Sequence, residues 1–155
     1  MDEPTAIGSE ASIPNPALKD LAPLVGEWQT TGHHALMPGT TFHGRVSFAW
    51  IEGGAFMMMR TEIDEPGIPS GISIFGSDDA TGQCFMLYFD ERGVSRKYDA
   101  AVSEHQLTWW RDDPTFSQRA TLTREDRDHM VSKGEMSRGG AAWESDLALT
   151  YSRIK

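Results

Sequence analysis

From Gly26 onward apolar and polar residues alternate with a period of two, and turn-forming clusters interrupt the alternation about every ten residues. The alternation is clearest over 41–51, where Phe42, Val46, Phe48 and Trp50 share a face and His43, Arg45, Ser47 and Ala49 take the other. It recurs over 142–154, with Trp143, Leu147, Leu149 and Tyr151 against Glu144, Asp146, Thr150 and Ser152. Successive side chains on a strand point to opposite faces, so each such segment has one apolar and one wet face. Strands are predicted at 26–33, 41–51, 55–63, 71–76, 83–90, 94–101, 106–111, 116–123, 129–137 and 142–154. The separators carry Gly, Pro, Asp and Glu, as in Met37-Pro38-Gly39, Glu52-Gly53-Gly54 and Arg138-Gly139-Gly140. No long helical segments alternate with the strands, which excludes a parallel βαβ sheet. Short connections predict an antiparallel meander, and about ten strands with one apolar face bury their edges best by closing. The expected fold is therefore all-β: a single antiparallel meander β-barrel.

One short helix precedes the strands. Asn15 can cap its free amides and Pro16 suits the first turn, where a missing N–H costs nothing. Leu18, Leu21, Leu24 and Val25 supply an apolar face that closes one barrel end, and Pro23 and Gly26 limit its length. Residues 1–14 are acidic and punctuated by proline, and are read as a flexible leader to a barrel domain over 15–155. A secretory signal would need a basic start and an apolar run, and a membrane span roughly 20 apolar residues; the chain shows neither pattern, so a soluble cytoplasmic protein is expected.

Composition narrows the partners. The 155 residues suit one domain, a size that hides roughly 70% of its unfolded surface. With 23 acidic against 14 basic residues the net charge is -9, which disfavours nucleic acid and anionic membrane as partners and leaves a small molecule or a homodimer. Cys84 is the single cysteine, so no intramolecular disulfide forms.

The start of the first strand carries a specific likeness. Gly26-x-Trp28, preceded by a short helix and answered by Arg153 near the end of the last strand, resembles the signature of the calycin group: lipocalins, fatty-acid-binding proteins and their bacterial relatives. The resemblance implies that Trp28 closes one barrel end while Arg153 lies across its ring in a cation–π contact. Within that group, LAPLVGEW (21–28) resembles the opening of nitrobindin-like haem barrels, which hold haem through a histidine on the final strand. Here the final strand, WESDLALTYSRI, has no histidine, and Asp146 stands about where that ligand would be. The segments MLYFDERGVSRKY, WWRDDPTFSQR and WESDLALTY resemble an uncharacterised bacterial family of calycin-like proteins, over nearly all of the chain after the leader. That likeness brings no established activity.

A barrel of this kind works through a cavity, mostly apolar with a few orienting polar groups. A two-residue turn at Glu91-Arg92 would set Phe85, Leu87 and Phe89 on one face with Arg96 and Tyr98; a bulged turn would bring Met86 and Tyr88 there instead. Trp109, Trp110, Arg111, Phe116, Gln118 and Arg119 form a second dense patch, in which one of the adjacent tryptophans faces inward and the other outward. The ligand-binding set expected from these segments is Tyr88, Arg96, Tyr98, Trp109, Arg111 and Arg119, for a ligand that is partly apolar and anionic or aromatic. The competing reading pairs the arginines with Asp90, Asp99 or Asp112 at the rim. A cofactor-free isomerase, cyclase or hydrolase in the same cavity is the alternative, with Tyr98 or a histidine as acid or base and an arginine stabilising negative charge. His33, His34 and His43 flank the first hairpin near Glu62, but adjacent residues on a strand point apart, and zinc needs three converging ligands. Haem or metal binding is kept as a third, lesser reading, with no metal ligand and no cofactor assigned. Met57-Met58-Met59 suits an adaptable wall or ordinary core.

Overall fold

The computed structural model describes residues 14–155, so all of the expected leader except Pro14 lies outside the described residues. A 3-10 helix over Pro16–Leu24 leads into ten strands: β1 (Gly26–His34), β2 (Phe42–Ile51), β3 (Phe56–Ile63), β4 (Gly71–Ser77), β5 (Cys84–Asp90), β6 (Ser95–Val102), β7 (Gln106–Arg111), β8 (Phe116–Asp126), β9 (His129–Arg138) and β10 (Glu144–Arg153). Each strand pairs antiparallel with its sequence neighbour, and β1 pairs with β10 to close the barrel. Closure leaves no sheet edge, as the predicted meander requires.

The helix differs from expectation in its winding. Asn15 caps it through the Ala17 amide at 3.0 Å, but Pro16 and Pro23 both lie within it and it is wound as a 3-10 helix throughout. Three residues per turn stacks positions i and i+3 on one face. Leu18, Leu21 and Leu24 repeat at that interval and are all buried, whereas Val25, expected on the same face, is left exposed. The helix caps the barrel at the end that receives the connections 52–55, 78–83, 103–105 and 127–128.

Trp28 and Arg153 fasten this cap, as the calycin likeness implies. They are cross-strand partners in the β1–β10 ladder, and the Arg153 guanidinium lies 4.2 Å from the Trp28 ring centroid. The indole Nε1 donates to the Leu24 carbonyl at 2.9 Å. Arg153 donates from Nη2 to Pro23, from Nη1 to Val25 and from Nε to Arg127, at 2.8, 2.8 and 3.0 Å. The final carbonyls of the helix thus obtain the partners that a helix end otherwise lacks. Gly26 is required for this: its φ is +140°, and a Cβ there would stand 2.5 Å from both Arg153 Nη1 and the Lys155 carbonyl oxygen.

Inward side chains fill the capped half with Trp28, Val46, Phe48, Met57, Phe75, Leu107, Leu122 and Met130. The opposite end receives the connections 35–41, 64–70, 91–94, 112–115 and 139–143, and carries no covering helix. Two expectations for the last strand fail there. Trp143 is exposed and stacks outside on Arg119, 3.8 Å from its guanidinium. The β10–β9 register shifts between Ser145 and Ala148, and this bulge breaks the alternation that put Asp146 on the wet face. Among the described residues no helix is long and apolar enough to cross a membrane.

Candidate binding cavity beneath the open end

The β5–β6 turn decides which side chains enter the lumen. Gly93 donates its N–H to the Asp90 carbonyl at 2.9 Å, and the Asp90 N–H donates to Val94 at 3.1 Å, so three residues span the turn. Gly93 takes φ +82°, the left-handed residue that such a bulged loop needs. The register becomes Tyr88↔Arg96 and Met86↔Tyr98. Met86 and Tyr88 therefore join Arg96 and Tyr98 at the lumen, and the two-residue alternative with Phe85, Leu87 and Phe89 inside is excluded. Phe89 is exposed, and Lys97 lies over the Phe85 ring on the outer face.

These strands enclose a cavity of about 390 Å³ under the uncapped end. Much of its lining is apolar, including Met59, Ile63, Met86, Trp109 and Leu149. A polar strip crosses it from β5 to β1. Tyr98 Oη donates to Gln118 Oε1 at 2.6 Å, and Arg96 Nη1 donates to the same oxygen at 3.1 Å. Gln118 Nε2 donates to Asp146 Oδ2 at 3.0 Å, and His34 Nε2 lies 2.6 Å from Asp146 Oδ1. The Leu36 N–H donates to His34 Nδ1 at 3.0 Å, which places the imidazole proton on Nε2, facing Asp146. At the β5 end, Tyr88 Oη donates to Asp90 Oδ2 at 2.6 Å, and Arg92 reaches both carboxylate oxygens, at 2.7 and 3.2 Å.

The electrostatics follow from these contacts. Hydrogen bonds from the Arg92 guanidinium, with help from Tyr88 and against the cost of burial, hold the Asp90 carboxyl well below the usual carboxylate range. Burial, and then the Asp90 carboxylate, push the Tyr88 phenol far above its ordinary value. Burial raises Tyr98 as well, against the opposing effect of Arg96. Tyr151, hydrogen-bonded to Ser132 deeper in the lumen, is pushed up by burial to about 12. All three phenols are neutral at physiological pH. In that form each acts as a hydrogen-bonding group.

Of the expected binding set, Tyr88, Arg96, Tyr98 and Trp109 line the cavity together. Arg111 has the inward parity of Trp109 but stops at the rim, with Nη1 3.5 Å from the Lys97 carbonyl. Arg119 also belongs to the lining, but its guanidinium turns away from the lumen, pairing with Glu135 at 2.8 Å beneath Trp143. Trp110 is its cross-strand neighbour, so the tryptophan pair divides between the two faces as expected. The expected binding set omitted Gln118, His34 and Asp146, although the sequence had marked Gln118 in the dense patch, His34 at the first hairpin and Asp146 on the last strand. Period-two counting back from Leu122 would have placed Gln118 inside and Arg119 outside, and counting on from Trp28 would have placed His34 inside. The bulge that admits Asp146 has no comparable signal.

The same residues bear on haem and metal. His34 is the imidazole lining the cavity among the described residues, and both its nitrogens are engaged, so it offers no lone pair to an iron. These residues do not fit an axial haem ligand. Among the described residues no three His, Cys, Asp or Glu side chains converge on one point. His43 faces Thr31 on the outer, exposed side of the first hairpin, away from His34. The free Cys84 is half-buried under the helix, and burial pushes its thiol up.

Solved structures share this architecture. Rv2717c from M. tuberculosis superposes with a TM-score of 0.65 at 15% identity, over 90% of this chain and 98% of its own. A protein with unknown function of the DUF3598 family from Nostoc punctiforme PCC 73102 gives 0.60 at 11% identity over 86% of this chain, which spans 49% of that longer protein. The S-type phycobiliprotein lyase CPES from Guillardia theta gives 0.55 at 8% identity, over 88% of this chain and 92% of its own. No protein-family model matches the chain, and no curated protein sequence does. At these identities the likeness is one of fold, a closed β-barrel.

Proposed function

We propose that this calycin-like barrel binds a small, partly apolar molecule in the cavity under its uncapped end. The observation that carries the reading is the cavity of about 390 Å³, apolar over much of its wall and crossed by one hydrogen-bonded polar strip. Its size falls within the range of about 300–1,000 Å³ typical of small-molecule sites. Arg96, Tyr98 and Tyr88 orient the ligand, Trp109 offers an aromatic face, and Arg111 stands at the rim where it can attract an anion. A cofactor-free enzyme would need a group in this wall able to take a proton. Tyr98 is held neutral, and the Nδ1 of His34 is spent on the Leu36 amide, which favours binding over chemistry.

The test is a titration with 1-naphthol followed by tryptophan fluorescence. Saturable quenching is expected, together with its loss in Ala120→Phe, which fills the lumen from β8 while thermal unfolding stays cooperative. Non-saturable quenching, or saturable quenching untouched by Ala120→Phe, would place the probe elsewhere and refute the reading.

A further inference from the structure

The polar strip has a fixed hydrogen-bond polarity, and that polarity selects the chemistry of the ligand. The selection rests on the cavity being a binding site. Arg96 lies between two tyrosines on the lumen wall: Tyr88 is its cross-strand partner and Tyr98 follows two residues along the same strand. The two rings meet edge to face, with centroids 6.4 Å apart. Both phenol protons are already committed, one to Asp90 and the other to Gln118, each at 2.6 Å. A phenol oxygen whose proton is spent can only accept from a newcomer.

Arg96 is the opposite case. Its guanidinium has five N–H donors, of which one goes to Gln118, and its charge is matched by no carboxylate among the described residues. Asp90 pairs with Arg92, and Asp146 bonds to His34 and Gln118 without reaching Arg96. The Phe116 ring, 5.5 Å away, gives the guanidinium an aromatic face but no counter-charge. A half-buried cation without a partner anion is costly, and an entering oxyanion relieves that cost. The wall therefore offers charged donors at one point and pure acceptors on either side, with Trp109 and Phe116 at hand for a flat apolar body.

We infer that the ligand is an aromatic carboxylate carrying a hydroxyl or amino donor on its ring. The carboxylate sits on Arg96, the ring lies against the aromatic wall, and the O–H or N–H donates to the phenol oxygen of Tyr88 or Tyr98. A plain aliphatic or aryl carboxylate satisfies Arg96 and leaves the phenol oxygens dry. A neutral phenol satisfies those oxygens and leaves the cation unmatched.

Four probes separate these cases: 4-hydroxy-2-naphthoate, 4-methoxy-2-naphthoate, 2-naphthoate and 1-naphthol. The meta placement keeps the hydroxyl from bonding its own carboxylate. By isothermal titration, 4-hydroxy-2-naphthoate is expected to bind about tenfold tighter than 2-naphthoate or the methoxy compound, and about a hundredfold tighter than 1-naphthol. Arg96→Met should erase the preference for the carboxylates, and Tyr88→Phe or Tyr98→Phe should shrink the preference for the hydroxyl. Retained 1-naphthol binding reports an intact cavity in Arg96→Met, retained 2-naphthoate binding does so in the two tyrosine variants, and the wild-type series stands without them. Equal affinity for the hydroxy, methoxy and unsubstituted naphthoates, or 1-naphthol binding as tightly as the carboxylates, would overturn the inference while leaving the cavity reading in place. If none of the four binds, the cavity reading falls with it.

Discussion

Replacing Arg153 by alanine should unfasten the capped end of the barrel. The side chain is 17% exposed and makes three hydrogen bonds to backbone carbonyls, of Pro23, Val25 and Arg127, while lying 4.2 Å from the Trp28 ring centroid. Charged hydrogen bonds of this type contribute about 1.5 kcal/mol or more when buried, but these lie near the surface, and water can replace part of each. At about 0.7–1 kcal/mol apiece they sum to roughly 2–3, and the cation–π contact adds about 0.5–1. The Asp128 pair at 3.4 Å adds little, since that carboxylate is 59% exposed. The expected loss is therefore about 3 kcal/mol. With a urea dependence near 2 kcal/mol/M for a chain of this size, the unfolding midpoint should fall by about 1.5 M. Arg153→Lys keeps the charge and loses the planar fork that reaches three carbonyls, so it should recover less than half of the deficit. A midpoint shift below about 0.5 M for the alanine variant would refute the reasoning. So would full rescue by lysine, because the fastening would then depend on charge and not on geometry.

Other consequences can be measured in the same way. Gly26→Ala should cost about 2–3 kcal/mol in urea unfolding, because the new Cβ meets Arg153 Nη1 and the Lys155 carbonyl at a φ of +140°; an unchanged midpoint would disprove the close approach. Leu21→Ala should cost about 2–4 kcal/mol by leaving a void between helix and barrel, and a near-neutral result would show that the helix does not seal the core. Asp90 gives the barrel a pH dependence. Its carboxyl is lower in the folded state than in the unfolded chain, so its contribution is whole above the unfolded value of about 4 and drains away as pH falls toward the folded one. Urea midpoints taken from pH 7 downward should fall less steeply for Asp90→Asn than for the wild type, and parallel curves would contradict the assignment.

The fold was legible because its signals are local. Phe42, Val46, Phe48 and Trp50 mark a strand with one dry face, glycine-bearing turns mark where the strands end, and Leu18, Leu21 and Leu24 mark the cap even though their spacing of three belongs to a 3-10 helix. The cavity was legible in part. Tyr88, Arg96, Tyr98 and Trp109 lie where parity on their strands puts them, once Gly93 sets the register of the β5–β6 turn. Arg119 lines the same cavity, but its parity opposite to Leu122 sends the guanidinium to Glu135 and Trp143 on the outer face. Asp146 was beyond reach: one bulge between Ser145 and Ala148 turns it inward, and nothing in ESDLAL distinguishes a bulged strand from a regular one. Without Asp146 the roles of Gln118 and His34 could not be read either, since both lean on its carboxylate.

The most direct test of the cavity uses the methionines. Met59, Met86 and Met136 line the lumen near its mouth, whereas Met58 points outward from the same strand as Met59. In a protein labelled with carbon-13 at the methionine methyl groups, titration with 1-naphthol should move the resonances of Met59, Met86 and Met136 together along one saturable curve, and leave Met58 in place. Movement of Met58 without the other three, or no movement of any, would contradict a ligand in the barrel.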